Sequence, residues 1–475
     1  MLPKKMIKKK TTNKEESKMS ALKEIEAEMK HRKVAQIVIE SSTPLKVGSG
    51  DSDVEIDSPV LKNWNGLPMI QGTSLAGVLR AAFRDDGSRE HLFGKDFGSR
   101  VLVSHAHLVD KNGKIIYKLG RDDDPDFLNN YDDLPVREHT AITDKGVALK
   151  GSKFDEEVVY KGSRFKFELE LITDNRPNDL KLWEELLNKL TSPLFRLGSG
   201  STKGFGEMEV KLCTVKEYEI GIDYHSKPSS LNTIVGTETT AKSSEKVLTY
   251  KIALKPADFF SFGSGFGDDE VDDVAVTERI VEWENEVGKF SNERILMPAS
   301  SLKGALSHRV AFHYNKLQGV YADDEKVVHK EHVGENNDAV ATLFGHKKES
   351  KDGIELGRKG KALFSDVFST YDAKDAETKI FDHVKIDRFT GGAMDKHLYN
   401  EKVIAQRDIW HIKIVLSSEV NGDVEKAFHA TLDDLCKGWL PLGGMVNRGH
   451  GVFEGVPFGN DDNGWIVENG GSEDE

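Results

Sequence analysis

Asp57 is the carboxylate best placed in the sequence to do chemistry. It stands in Val54-Glu55-Ile56-Asp57-Ser58-Pro59-Val60, where the proline keeps the segment extended or turned rather than helical. A carboxylate on such a loop can hold a divalent cation such as Mg2+, or take a proton from a ribose 2′-hydroxyl. It can equally cap its own turn. Matched without gaps, Val281-Glu282-Trp283-Glu284-Asn285-Glu286-Val287 lies 227 positions later and sets Glu284 where Asp57 stands. The extra methylene moves the carboxylate by about one bond length, and a misplacement near 1 Å can cost about 100-fold in rate. Asp272 and Asp273 are the rival candidates there, seven and eight positions past Gly265, against seven from Gly50 to Asp57.

Two glycine loops carry the second signal. Leu197-Gly198-Ser199-Gly200-Ser201-Thr202-Lys203-Gly204-Phe205-Gly206 matches Leu442-Gly443-Gly444-Met445-Val446-Asn447-Arg448-Gly449-His450-Gly451, 245 positions on. Glycine lets the backbone approach a phosphate and turn its N–H groups toward it, and the cation of each loop, Lys203 or Arg448, adds a charge-assisted contact. A tight turn is the plainer reading of one such loop; two with the cation in register favour a polyanion. Neither is a Walker A sequence. Thr73 and Ser74, and Ser300 and Ser301, place hydroxyls at two helix starts, where capping and anion binding can coexist. Arg80, Arg84, Lys303 and Arg309 on the following helices would extend a basic track. His139, His383, His105 and His107 are candidate acid–base groups, although a lone His is more often structural, and no metal-ligand spacing such as His-Glu-x-x-His is present.

The elements that must position these groups come in two copies. Each runs from a strand (Val34–Ile39, Val247–Leu254) through a glycine turn, an acidic segment and a Ser-Leu-x-Gly turn into an amphipathic helix. A second strand run follows, then a long arm from His139 to Glu156 or from His383 to Glu401. A strand, a helix and the glycine loop close the copy. The glycine turns lie 215 positions apart and the acidic segments 227, which places a 12-residue insertion in the acidic run around Asp268, Asp269, Glu270, Asp272 and Asp273. Strands interleaved with helices in this order predict an α+β module, of β-α-β-β-α-β type. The expected organisation is an N-terminal extension over 1–32 with a helix from Ser20 to Arg32, a first module over 33–225, and a linker over 226–246. A second module over 247–458 and an acidic tail over 459–475 complete it.

Composition bounds the rest. The 475 residues carry a formal charge of −14 and a pI near 5.7, a balance that by itself counts against nucleic acid. The charge is unevenly placed, however: Lys4, Lys5, Lys8, Lys9 and Lys10 crowd one end, and Asp461, Asp462, Glu468, Glu473, Asp474 and Glu475 the other. Both ends read as solvated extensions. Cys213 and Cys436 stand alone, which excludes a disulfide framework and a cysteine zinc site. With no apolar leader and no membrane-length run, the expectation is a soluble, cytoplasmic protein without membrane contact.

Taken together, Ile56 to Val60, Leu67-Pro68-Met69-Ile70-Gln71-Gly72-Thr73-Ser74-Leu75-Ala76-Gly77 and the loop from Gly198 to Gly206 resemble the RAMP superfamily. So do Pro298 to Gly304, Ile386-Asp387-Arg388-Phe389-Thr390-Gly391 and Gly443 to Gly451. More closely, they resemble the Cas-seven backbone subunits of type III CRISPR effector complexes, of the Csm and Cmr kind, with two modules fused as in type III-D systems. The resemblance spans roughly 33–456. It implies a modified ferredoxin-like, RRM-like fold, with a palm and a protruding β-hairpin thumb in each module. It also implies crRNA, complementary target RNA and other Cas subunits as partners, and metal-dependent cleavage of the target by an Asp that falls on Asp57. The arms starting at His139 and His383 would be the thumbs. Guide phosphates would be gripped by Gly198, Gly200, Gly204 and Lys203, by Gly443, Gly444, Gly449 and Arg448, and by Thr73, Ser74, Ser300, Ser301, Lys303 and Arg80. A scaffold that binds crRNA without cutting, and a stand-alone RAMP ribonuclease that processes CRISPR transcripts through His chemistry, are the alternative readings.

Overall fold

The computed structural model describes residues 30–50, 56–95, 98–120, 124–143, 145–219, 221–223, 231–240, 242, 245, 247–324, 328–346, 357–458 and 463–470. The first module opens with β1 (His31–Ser41), then β2 (Met69–Ile70), α1 (Gly72–Ala82), α2 (Asp86–Phe93), β3 (Val101–Val103) and β4 (Ala106–Leu108). After α3 (Pro125–Leu128) comes a hairpin of β5 (Val136–His139) and β6 (Phe154–Glu157). Then follow β7 (Arg164–Thr173), α4 (Pro177–Leu190), β8 (Met208–Glu219) and β9 (Thr237–Glu238). Its antiparallel sheet has the order β2-β4-β7-β1-β8-β9, with β3 also on β7. Along β7 the alternation of strand side chains buries Phe165, Phe167, Leu169 and Leu171, all fully. Helix α4 lays Leu182, Trp183, Leu186, Leu187 and Leu190 on that sheet at helical spacing.

The second module repeats the plan. It contains β10 (Val247–Pro256), β11 (Thr277–Glu278), β12 (Val281–Glu284), β13 (Val287–Phe290), β14 (Arg294–Met297), α5 (Ala299–Leu317) and α6 (Asp338–Phe344). Next come β15 (Gly345–His346), β16 (Arg358–Lys359), β17 (Ala362–Phe364), β18 (Val367–Asp372), and a long hairpin of β19 (Thr378–Ile386) and β20 (Ala393–Ile404). The module ends in β21 (Trp410–Leu416), α7 (Gly422–Cys436), β22 (Phe453–Gly455) and β23 (Trp465–Gly470). The main sheet runs β17-β21-β10-β22, with β23 also on β10, so β17, β21 and β10 repeat β3, β7 and β1. Trp410, Ile412, Ile414 and Leu416 on β21 and Val424, Phe428, Leu432 and Leu435 on α7 build the matching core.

Four expectations change. His31 and Arg32 belong to β1, not to a helix, because Arg32 is buried on the sheet and donates to both Glu170 oxygens at 2.7 and 2.9 Å; the basic start lies outside the described residues. Within the expected linker, β9 extends the first sheet and Leu231 packs on Val109 and Ile115. Within the expected tail, β23 is a sheet strand whose Glu468 pairs with Lys251 at 2.6 Å; Asp461, Asp462, Glu473, Asp474 and Glu475 lie outside the described residues.

The fourth change concerns the insertion. Gly48 bridges Val60 as Gly263 bridges Ala275, so the 215-residue offset persists through the acidic run, and the extra residues come after Ala275. They form the β12–β13 hairpin. Glu284 therefore does not occupy the Asp57 position. It ends β12, ahead of a turn whose Asn285 and Glu286 have φ of 49° and 62°, the pattern of a tight two-residue hairpin.

Candidate nucleic-acid interface and cleavage site

In the first module the Asp57 loop is clasped to the base of the β5–β6 hairpin. The Asp57 N–H donates to Asp155 Oδ1 at 2.8 Å, and the Asp155 N–H donates to Asp57 Oδ2 at 3.2 Å. The next residues hold the loop in place. The Glu157 N–H reaches the Ser58 carbonyl at 3.1 Å, and the Val60 N–H donates to Glu157 Oε2 at 2.7 Å. Lys46, fully buried, donates from Nζ to the carbonyls of Ser58 and Glu157. Asp57 itself stays exposed.

One step along β6, Glu156 meets His139 Nε2 at 2.8 Å, and the His139 ring stacks on Phe154 with centroids 5.0 Å apart. Lys203, from the glycine loop, sits 4.9 Å over the Phe154 ring. Burial pushes the Glu156 carboxyl up, but the hydrogen bond and charge of His139, with Lys203 and Lys46, outweigh it and leave the group below its ordinary value. Glu156 is thus held ionised and fixes the imidazole.

The second module reproduces this arrangement with other residues. The Asp272 N–H donates to Asn400 Oδ1 at 2.9 Å, and the Asn400 N–H donates to Asp272 Oδ2 at 3.0 Å. The Lys402 N–H reaches the Asp273 carbonyl at 3.1 Å, as Glu157 reaches Ser58. His383 lies 2.7 Å from Glu401 and stacks on Tyr399 at 5.0 Å, with the Arg448 guanidinium 5.0 Å over the tyrosine. Asp57 therefore corresponds to Asp272, and Asp155 to Asn400. Asp273 follows at the Ser58 position, half-buried; burial first, and then the charge of Glu401, raise its pKa.

The hydroxyls expected to cap the helices do not do so. Gln71 and Pro298 precede α1 and α5 without a side-chain cap, and the first N–H groups are met from a distant strand end. The Gly72 N–H donates to His105 Nδ1 at 3.0 Å, and the Ala299 N–H to Asp366 Oδ1 at 2.7 Å. Thr73 is exposed and Ser74, Ser300 and Ser301 are half-buried, in the first helical turns. Lys303 is brought to the first module's glycine loop, where Nζ donates to Thr202 Oγ1 at 3.2 Å. Burial, and then the charge of Lys203, bring its pKa down to about 8. Arg80 and Arg448 are exposed.

The glycines serve packing as well. Gly198 (φ 77°) and Gly443 (φ 89°) lie against the carbonyls of Lys46 and Ser261, where a Cβ would come within 2.0 and 2.3 Å. Gly200, Gly204 and Gly449 also take positive φ, whereas Gly444 donates its N–H to the Ser261 carbonyl at 2.8 Å. Beyond the bases, the first arm exposes Ile142, Val147 and Leu149, and the β19–β20 hairpin exposes Val384, Ile386, Phe389 and Leu398; Asp144 lies outside the described residues. Sequence reasoning missed Asp155, Asn400, Glu156, Glu401, Phe154 and Tyr399. The signal was present, because Phe-Asp-Glu at 154–156 and Tyr-Asn-Glu at 399–401 share the 245-residue spacing of the glycine loops.

Two modules with one sheet order, one clasp and one glycine loop define a duplicated RAMP-type protein, and the chain belongs to the RAMP superfamily, whose family model matches residues 38–209 and 261–454. It is similar to the CRISPR system Cms endoribonuclease Csm3 of Methanocaldococcus jannaschii, with 27% identity over 236 residues, 42% of this chain and 89% of the relative. Among the described residues, no helix is long and apolar enough to cross a membrane.

Proposed function

We propose that the chain is a two-module backbone subunit of a type III CRISPR effector complex. It binds crRNA along both modules, works inside the cell with other Cas subunits, and cleaves complementary target RNA beside Asp57 and beside Asp272. The duplicated clasp carries this reading. In each module an exposed aspartate is fixed to the base of a hairpin, next to a stacked His–aromatic pair under a cation. A buried structural aspartate needs no such stage. The endoribonuclease relative supports cleavage as the outcome.

Each module in this reading follows a ferredoxin-like order, supported by strands β3-β7-β1-β8 and β17-β21-β10-β22 with a helix in each crossover. In this reading the sheet and glycine loop form a palm along the guide, and the exposed apolar residues of the hairpins are thumbs that displace bases. Lys203, Arg448 and Lys303 contact guide phosphates; such contacts carry affinity without sequence preference.

The donor set at Asp57 fits a divalent cation, probed as Mg2+. The clasp uses one oxygen of each carboxylate and leaves Asp57 Oδ1 and Asp155 Oδ2 for an ion. Among the described residues no group of three or more His, Cys, Asp or Glu could hold a metal unaided. That agrees with Mg2+, which takes one or two carboxylates and completes its shell with water and substrate phosphate. When bound, the ion would supply charge neutralisation at the scissile phosphate and acidify the neighbouring 2′-hydroxyl. Asp57 orients that hydroxyl and accepts its proton; the 2′-oxygen then attacks the adjacent phosphorus and the 5′-oxygen leaves. In the second module Asn400 commits its amide to Asp272 and Glu270, so of the clasped pair Asp272 alone offers a carboxylate.

Target RNAs with one deoxynucleotide at a scissile position test this chemistry. Each substitution should block its own cut and spare the other. A cut that persists across the deoxynucleotide would remove the 2′-hydroxyl mechanism.

A further inference from the structure

The contact between the modules sets the loop face of the first against the helix face of the second. Gly204 bridges Ser365, and a Cβ there would come within 2.4 Å of Asp366 Oδ1 and 2.6 Å of the Ala299 Cβ. Buried around it is a set of ion pairs. Arg137 donates to both Glu278 oxygens at 2.5 and 2.8 Å and to Asp366 Oδ2 at 2.5 Å. Arg196 donates to the Phe364 carbonyl at 2.5 Å and Ser365 Oγ at 3.0 Å, and Glu207 takes Ser365 Oγ at 2.6 Å and Lys413. The inserted β12–β13 hairpin adds a second contact. The Val281 N–H donates to the Lys161 carbonyl and Trp283 Nε1 to that of Gly162, both at 2.8 Å. Phe290 packs on Tyr131 and Tyr160 with ring centres 5.5 and 5.0 Å away.

Register between the copies gives the groups each module would bring to a contact in the wrong order. On the loop face, Arg137, Arg196 and Glu207 are replaced in the second module by Phe381, Pro441 and Val452. On the helix face, Glu278 and Asp366 are replaced in the first module by Asn63 and His105. A first module stacked on another first module would bury Arg137 without a carboxylate. A second module stacked on another second module would bury Glu278 and Asp366 without a guanidinium. It would also meet Arg407 where Gly162 now admits the hairpin, a site at which even a Cβ would lie 1.9 Å from the Val281 carbonyl oxygen. An unpaired buried charge is far costlier than a neutral contact.

We propose that this joint is an order key. The first module's loop face accepts the second module's helix face and rejects the first module's, so unlike modules pair and like modules do not, whether or not the chain between them is intact. The key is independent of RNA cleavage. The charges act by exclusion, since they reward one pairing and penalise both like pairings.

The test uses the full chain with a protease site inserted between Glu245 and Val247, so that Leu231 and β9 stay with the first module, and cut after purification. Native mass spectrometry should find the fragments still paired, one of each. Mixing with an isotopically heavy preparation should exchange partners without forming like pairs. Arg137→Ala should weaken the pairing by roughly 100-fold or more, because it strands Glu278 and Asp366. The triple change Arg137→Phe, Glu278→Asn and Asp366→His, which leaves no charge alone, should recover pairing and admit like pairs of the first module, while Arg407 against the β12–β13 hairpin still bars like pairs of the second. It also carries the test if Arg137→Ala does not fold. Wild-type fragments that separate while each keeps its circular dichroism, an Arg137→Ala joint as tight as wild type, or like pairs in the wild type would each overturn the key.

Discussion

Asp155→Asn converts the first module's clasp into the second's, and its effect follows from the geometry. The backbone N–H of residue 155 still donates to Asp57 Oδ2, and the new amide oxygen still accepts from the Asp57 N–H, as Asn400 does for Asp272. Folding stability should therefore stay within about 0.5 kcal/mol of wild type. What is lost is one negative charge beside Asp57. Two unit charges about 4 Å apart interact by about 1 kcal/mol in water and about 4 kcal/mol near a protein surface, and about 1.4 kcal/mol is a factor of ten. The Mg2+ concentration for half-maximal cutting at the first module should thus rise roughly tenfold or more, with the rate recovered at high Mg2+. The reciprocal Asn400→Asp should lower the Mg2+ requirement of the second cut. Single-turnover cleavage of a 5′-labelled target across a Mg2+ series, in the assembled complex, reads both. An Asp155→Asn first cut with unchanged Mg2+ dependence would refute the placing of a cation between these carboxylates.

Further outcomes follow from the glycine loops and the lysines beside them. Gly204→Ala should destabilise by several kcal/mol, about 3 or more, because its Cβ meets Asp366 and Ala299; Gly449→Ala, in open space, should cost only about 1–2 kcal/mol for its positive φ, both read by urea unfolding. Lys303, with its pKa brought to about 8, is charged below that value and neutral above it, so RNA affinity should fall as pH rises from 7 to 9. Lys303→Arg should flatten that profile in a filter-binding titration, because a guanidinium keeps its charge. The free protein has the opposite sign: the unfolded chain binds more protons between about 8 and 10.5, so this group favours folding as pH rises through that window.

The duplication, the paired glycine loops and the paired arms were legible in the sequence, because each rests on local residue types repeated at a fixed spacing. The position of the insertion was not. Val281 to Val287 mimics Val54 to Val60 in its spacing of Val and Glu, yet forms a hairpin whose Trp283 packs into the first module. Only the pairing of Gly263 with Ala275 fixes the register and brings Asp272 to the hairpin base. The helix caps were hidden for a related reason, since His105 and Asp366 reach Gly72 and Ala299 from 33 and 67 residues away. The strand at Trp465–Gly470 was read as tail because its acidic composition masks a sheet edge that only β10 reveals.

The central claim is that each module presents one cutting aspartate, Asp57 in the first and Asp272 in the second. Mapping 5′-labelled fragments of a complementary target cut by complexes carrying Asp57→Ala, Asp272→Ala or both addresses it most directly. Each single change should erase one cut and leave the other, the double change should erase both, and target binding should persist throughout. Glu284→Ala should leave both cuts in place. Loss of a cut with Glu284→Ala, or full cleavage by the double variant, would contradict the account and leave the chain a scaffold for RNA.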